Sequence, residues 1–160
     1  HDYRSLITED LDIGEWLVDH IKGAYLGFNG SLIIDFGQQQ YKIHLTHSGK
    51  GFSIYNPTHA GLRVARELYD SDLDAVCFGH IHESCAYIDM PMGIYDHRLI
   101  AVRSGGYMPN DRYAQYRGYQ ERPIVTPVLI LDPFEKEITI IKGLQRASLI
   151  LEAWNGQNTV

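Results

Sequence analysis

LDAVCFGHIH, residues 73–82, decides the reading of this chain. From Leu73 to Phe78 the run is apolar except for Asp74, the composition of a strand buried on both faces. Gly79 then allows the backbone to turn sharply off the strand. His80 and His82 follow, and in an extended segment they project to the same side because side chains alternate with period two. Neutral imidazole is a common ligand for Zn, Mn and Fe. By itself a His-x-His pair is a weak signal, equally at home in an ordinary polar loop.

Upstream, Tyr41, Ile43 and Leu45 alternate with Lys42, His44 and Thr46, the pattern of a half-buried strand. His47 follows directly, on a loop opened by Gly49 and Gly51. Ser31 to Phe36 forms an earlier strand, separated from Tyr41 by Gly37 and a Gln run. Thr58, after Pro57, is placed to cap a helix running to about Tyr69. Residues 10–22 read as another helix, capped by Asp10, with Ile13, Trp16, Leu17 and Ile21 at helical spacing. Downstream, strands are expected at Ala86 to Asp89, Arg98 to Arg103, Val125 to Leu131 and Glu137 to Ile141, with a last helix from Leu144 to Trp154.

The order strand, loop, helix, strand, loop and then further strands implies an α/β unit whose sheet continues into antiparallel strands, an α+β arrangement. Ligands in such sheets bind beyond the carboxyl ends of the strands. His47 and His80 each follow a strand, so they are expected at one sheet edge with His82 close by. Three histidines gathered in this way point to a metal site far more than the pair alone.

The bulk properties agree with one soluble domain of 160 residues, 44% hydrophobic and 21% charged. A net charge of −6 argues against a broadly basic nucleic-acid surface. An acidic protein can still handle phosphates if metal ions supply the positive charge. No apolar run has the length of a membrane span and no signal peptide is visible. The two cysteines, Cys77 and Cys85, do not make a disulfide framework, so free thiols and a cytoplasmic, reducing location are expected. The chain opens on His1 rather than Met, which leads us to expect residues upstream of it.

With these residues in view, the chain resembles the C-terminal part of the calcineurin-like metallophosphoesterases. That family carries five blocks in order: Asp-x-His, Gly-Asp, Gly-Asn-His-Asp/Glu, a single His after a strand, and Gly-His-x-His. DAVCFGHIH is similar to the last block and IHLTHSGKG, residues 43–51, to the fourth. His1 and Asp2 look like the end of the third, and VTPVLILDP, residues 125–133, like a late strand of the same fold. The resemblance implies part of a β-sandwich flanked by helices. It implies two divalent metal ions, of Mn, Zn, Fe or Ni, with His47 and His80 on one and His82 on the other. His1 would protonate the leaving oxygen, with Asp2 orienting its ring.

The first two blocks, and the Gly and Asn of the third, are absent from this sequence. Those blocks hold the bridging Asp, a further Asp and His, and the Asn ligand. The full centre therefore needs a segment upstream of His1 or a partner chain, or the fragment is inactive. The resemblance implies a phosphate mono- or diester as substrate.

Lys50, between two glycines, is placed to meet a substrate phosphate, although the Gly-x4-Gly-Lys spacing of a phosphate loop is missing. Arg103 and Arg112 lie among Tyr107, Tyr113 and Tyr116, a mixture that could hold a phosphate or a base or could simply pack on the sheet. His44 is expected to face away from His47, His59 to start a helix, and His20 and His97 to be ordinary surface residues. Cys77 reads as core packing. Two other readings compete: a catalytically inactive scaffold of the same fold, and an unrelated domain using the three histidines for structural zinc.

Overall fold

A computed structural model describes residues 13–51, 53, 55–68, 70–80, 86–91, 98–105, 116, 118 and 125–157. The chain divides into two compact units, the first ending at Gly30 and the second running Ser31–Val160. Within the first, helix α1 spans Ile13–His20. It ends where Lys22 adopts a φ of 55° and Gly23 N–H donates to the Val18 carbonyl at 2.9 Å, a Schellman closure made with lysine in the left-handed position. Trp16 is half exposed and tilts against His20 with ring centroids 4.5 Å apart.

The strands are β1 (Asn29–Phe36), β2 (Gln39–Thr46), β3 (Ala75–Phe78), β4 (Ala86–Pro91), β5 (Arg98–Arg103), β6 (Pro127–Leu131) and β7 (Ile138–Lys142). Helix α2 spans His59–Leu68 and helix α3 Leu144–Gln157. The main sheet has the order β1-β2-β3-β5-β4, and β6 pairs with β7 in a second sheet. β3 runs parallel to both β2 and β5, while β4 is antiparallel to β5. The class is α+β, as the sequence implies. The specific β-sandwich does not appear among the described residues, because the second sheet has only two strands.

Each face of the main sheet has its own core. On one, Leu62 and Ala65 of α2 meet Leu73, Val76, Leu99 and Ala101. On the other, Ile43, Ala75, Ile100 and Val102 meet Leu129, Leu131, Ile138 and Ile140 of the β6–β7 pair. The alternation along β3 and β5 thus splits between the layers, as a doubly buried strand requires. Leu73, Val76 and Leu99 are 0% exposed, each contributing roughly 1.5–3 kcal/mol by leaving water.

The amino edge of the parallel strands is latched by polar groups. Asp74, the one charged residue in its apolar run, is buried. Its carboxylate accepts the Lys42 N–H at 2.8 Å and pairs with Lys136 Nζ at 3.0 Å. The buried Tyr41 hydroxyl lies 2.6, 2.9 and 3.0 Å from the carbonyls of Asp132, Glu135 and Glu137, and accepts the Glu137 N–H at 3.2 Å. The β6–β7 turn is therefore wrapped around the start of β2.

The cap of α2 agrees with the expected one in position and differs in its side-chain bond. Thr58 stands directly before the helix and its carbonyl accepts the Leu62 N–H at 3.1 Å, as expected of a cap, but its hydroxyl donates back to Asn56 Oδ1 at 2.8 Å. The side-chain bond to backbone comes from Asn56, whose Oδ1 accepts the Thr58 N–H at 3.2 Å and whose carbonyl accepts the His59 N–H at 3.0 Å. Pro57 lies in the turn just ahead of the helix, where its missing N–H is harmless. No helix among the described residues is long and apolar enough to cross a membrane.

A histidine pair at the carboxyl edge of the sheet

The register of the parallel strands builds the site. Thr46 lies opposite Phe78, and Phe78 opposite Arg103, so β2, β3 and β5 end level with one another. The next residues, His47, Gly79 and Ser104, open three loops along one edge. Gly79 N–H donates to the His47 carbonyl at 3.2 Å and Ser104 N–H to the Phe78 carbonyl at 2.9 Å, tying the three together.

His47 and His80 meet there. His47 Nε2 and His80 Nδ1 are 3.0 Å apart, with ring planes at 70° and centroids 5.0 Å apart. The turn that aims His80 is made by His80 itself, whose φ is 71°. Left-handed backbone is uncommon for a residue with a Cβ, although histidine is enriched there. Gly79 was expected to make this turn; its role is instead one of space, since a Cβ on it would lie 3.2 Å from Ser104 Oγ. The period-two argument also fails at His80, which is not extended.

His82, His1, Asp2 and Arg112 lie outside the described residues, as do Cys85 and His97. Lys50 is exposed on the loop after His47. Arg103 is the last residue of β5 and is buried at 3% exposure, sharing the helix-facing side with Leu99 and Ala101. It is thus part of the sheet rather than of a covering loop. His44 is buried, with Nδ1 3.0 Å from Ser31 Oγ, and takes no part in the pair. His59 starts α2 and is exposed, as expected.

Two imidazole nitrogens 3.0 Å apart are close enough to reach a single ion. With metal–nitrogen bonds of about 2.1 Å, two nitrogens at a right angle on one ion stand roughly 3.0 Å apart, and at a tetrahedral angle about 3.4 Å. The observed 3.0 Å is the separation of a ring-to-ring hydrogen bond, and it lies near both values. Among the described residues, no group of three or more His, Cys, Asp or Glu comes together to hold a metal. Without metal, one imidazole N–H donates to the lone pair of the other; for both to ligate, that shared proton must leave.

Beside His80 lies a cleft of ≈ 290 Å³ lined by Ser48, Gly49, Gly51, Ala60, Phe78 and Gly79 as well as His80 itself. Glycine is needed in this region by close approach. A Cβ on Gly49 would come within 2.7 Å of the Ala60 carbonyl, and one on Gly61 within 2.5 Å of Phe78 Cε1. Sequence reading passed over Ser104 and Gly61. Ser104 was detectable as the residue after a third strand ending at this edge, and Gly61 as a glycine inside a helix. No protein-family model, curated protein or solved structure matches the chain.

Proposed function

We propose that the chain carries part of a metal-dependent phosphoesterase centre that hydrolyses phosphate mono- or diesters. The supporting observation is the His47–His80 pair, 3.0 Å apart at the carboxyl edge of three level strands. The ions would be drawn from Mn, Zn, Fe or Ni. His82 would serve a second ion, and the remaining ligands would come from a segment upstream of His1 or from a second chain.

In this reading the ions, once bound, would supply Lewis acidity and a hydroxide nucleophile at neutral pH. His47 and His80 act as neutral imidazoles, each presenting a lone pair. Lys50 offers a point charge to a phosphate oxygen from its exposed loop. His1 holds the proton destined for the leaving oxygen, and Asp2 fixes the orientation of its ring. A cytoplasmic setting fits the free thiol of Cys77.

The test extends the chain upstream and measures Mn, Ni, Fe and Zn binding alongside hydrolysis of an aryl phosphate. Stoichiometric metal that His47→Ala or His80→Ala abolishes, together with hydrolysis, is the expected result. An extended protein that binds no metal and cleaves no ester ends the proposal. One observation favours a second reading, a metal-free binding module: the two imidazoles already satisfy each other by direct hydrogen bonding. In that case His80→Ala leaves partner binding intact and the protein purifies without metal.

A further inference from the structure

Gly51 lies on the loop after His47 and has a φ of 94°, a backbone conformation that suits glycine. Its missing side chain leaves a corner open toward two basic groups of α2. A Cβ built there would lie 3.4 Å from His59 Nε2 and 4.0 Å from Arg63 Nη1, so both nitrogens reach one point beside the bare backbone. His59 and Arg63 are one helical turn apart, and both are exposed. Arg63 Nε donates to Glu67 Oε1 at 3.0 Å, which orients the guanidinium while Nη1 stays on the Gly51 side. Lys50, also exposed, directly precedes Gly51.

We propose that this corner is an anion subsite, and that it holds a second, non-reacting phosphate group of the substrate. The word substrate rests on the phosphoesterase reading; the anion site itself stands on the side chains around Gly51. A guanidinium presents its N–H groups in a fork that matches phosphate oxygens. A lysine adds a compact point charge from the neighbouring position. The imidazole donates from Nε2, either as the cation or as that tautomer. The Glu67 carboxylate offsets part of the Arg63 charge, so an anion here draws on Lys50 and His59 as well. A phosphate group has three free oxygens to share among such donors, one more than a carboxylate offers.

Position links the subsite to the chemistry. Gly51 and His80 line the same cleft of ≈ 290 Å³, and His80 touches His47. A molecule with one phosphate at the histidine pair therefore shares this cleft with the Gly51 corner. That volume lies at the bottom of the range for small-molecule sites, which suits a short bisphosphorylated compound. The corner is also held in place. A Cβ on Gly49 would come within 2.7 Å of the Ala60 carbonyl, so the loop presses closely on the start of the helix that carries His59 and Arg63.

Inorganic phosphate is the probe, titrated into the metal-free full chain at constant ionic strength and followed by the Gly51 amide and the His59 ring. Saturable shifts at both are expected. Binding should weaken about tenfold or more in Arg63→Gln. It should be unchanged in Arg146→Gln, a charge-matched control on α3. Absent shifts, or equal weakening in the two variants, would overturn the anion site. So would binding that survives Arg63→Gln and is lost in His80→Ala, which assigns the phosphate to the histidine pair. The wild-type shifts and the His80→Ala result decide the matter even if Arg63→Gln fails to fold. A second arm takes the upstream-extended protein and compares the bisphosphate of butanediol with butyl phosphate. About a tenfold or greater preference in kcat/KM for the bisphosphate, lost in Arg63→Gln, is expected. Equal rates, with phosphate still bound at Gly51, would mean that the corner takes free phosphate and would sink its role in substrate binding. Phosphate binding without hydrolysis of either ester keeps the anion site and removes the phosphoesterase.

Discussion

Gly61 of α2 sits so close to Phe78 of β3 that a Cβ on the glycine would lie 2.5 Å from Cε1 and 2.7 Å from Cδ1 of the ring. Gly→Ala inside a helix ordinarily gains about 0.5–1 kcal/mol. Here Phe78 is 2% exposed and its ring edge lies directly in the path of the added methyl. Gly61→Ala is therefore expected to destabilise by about 1–3 kcal/mol, the usual penalty of overpacking. Urea unfolding measures it, and a stabilised variant would show that the helix is free to shift.

Gly79→Ala is expected to be mild. The nearest atom to the added methyl is the rotatable hydroxyl of Ser104, and the left-handed turn belongs to His80. A loss under about 1 kcal/mol is anticipated. A collapse of stability on this substitution would mean that the glycine itself makes the turn.

Tyr41→Phe removes a hydroxyl that serves the carbonyls of Asp132, Glu135 and Glu137 and the N–H of Glu137. The Glu137 N–H also donates to the Glu135 carbonyl at 2.7 Å and the Glu137 carbonyl also accepts the Asp132 N–H at 3.1 Å, so a loss of about 1 kcal/mol is expected. Hydrogen exchange should localise the effect, with Glu137 N–H and the β6–β7 turn losing protection first. Uniform loss across the sheet would contradict a local clasp.

Burial holds the His44 imidazole below its ordinary value of 6.5, opposed in part by the nearby Asp70 carboxylate. The folded chain therefore resists protonating His44, while the unfolded chain takes up the proton near 6.5. More protons bound when unfolded means that stability falls as pH drops below about 6.5, down to the lowered folded value. His44→Gln should flatten that part of the profile of unfolding free energy against pH. An unchanged slope would assign it to another group.

The Cys77 thiol is pushed up to about 11 by burial alone. In a Cys85→Ser background, iodoacetamide at pH 8 is expected to leave the folded chain unmodified and to alkylate it on unfolding. Rapid modification in native buffer would show that β3 opens.

Much of this was legible in local pattern. The doubly apolar run before Gly79 announced a central strand, and the alternation of Tyr41 and Ile43 announced its neighbour. Both are buried as read. The alternation stops short at Leu45, which is 37% exposed, while His44, bonded to Ser31, is buried. The meeting of His47 with His80 followed from two strand ends on one edge, a topological inference that needs no side-chain detail. The left-handed backbone at His80 could not be read, since local sequence favours glycine there and the neighbouring Gly79 offered itself. Nor could the role of Tyr41, whose partners lie more than ninety residues away.

That separation has a kinetic meaning. The contact from Tyr41 to Asp132 spans 91 residues and encloses His47, His80 and Ser104. Closing so long a loop carries an entropic penalty that only later contacts repay. A chain emerging from the ribosome would expose both histidines well before the turn that clasps β2 exists. The histidine edge is then expected to be among the last parts of the molecule to become rigid.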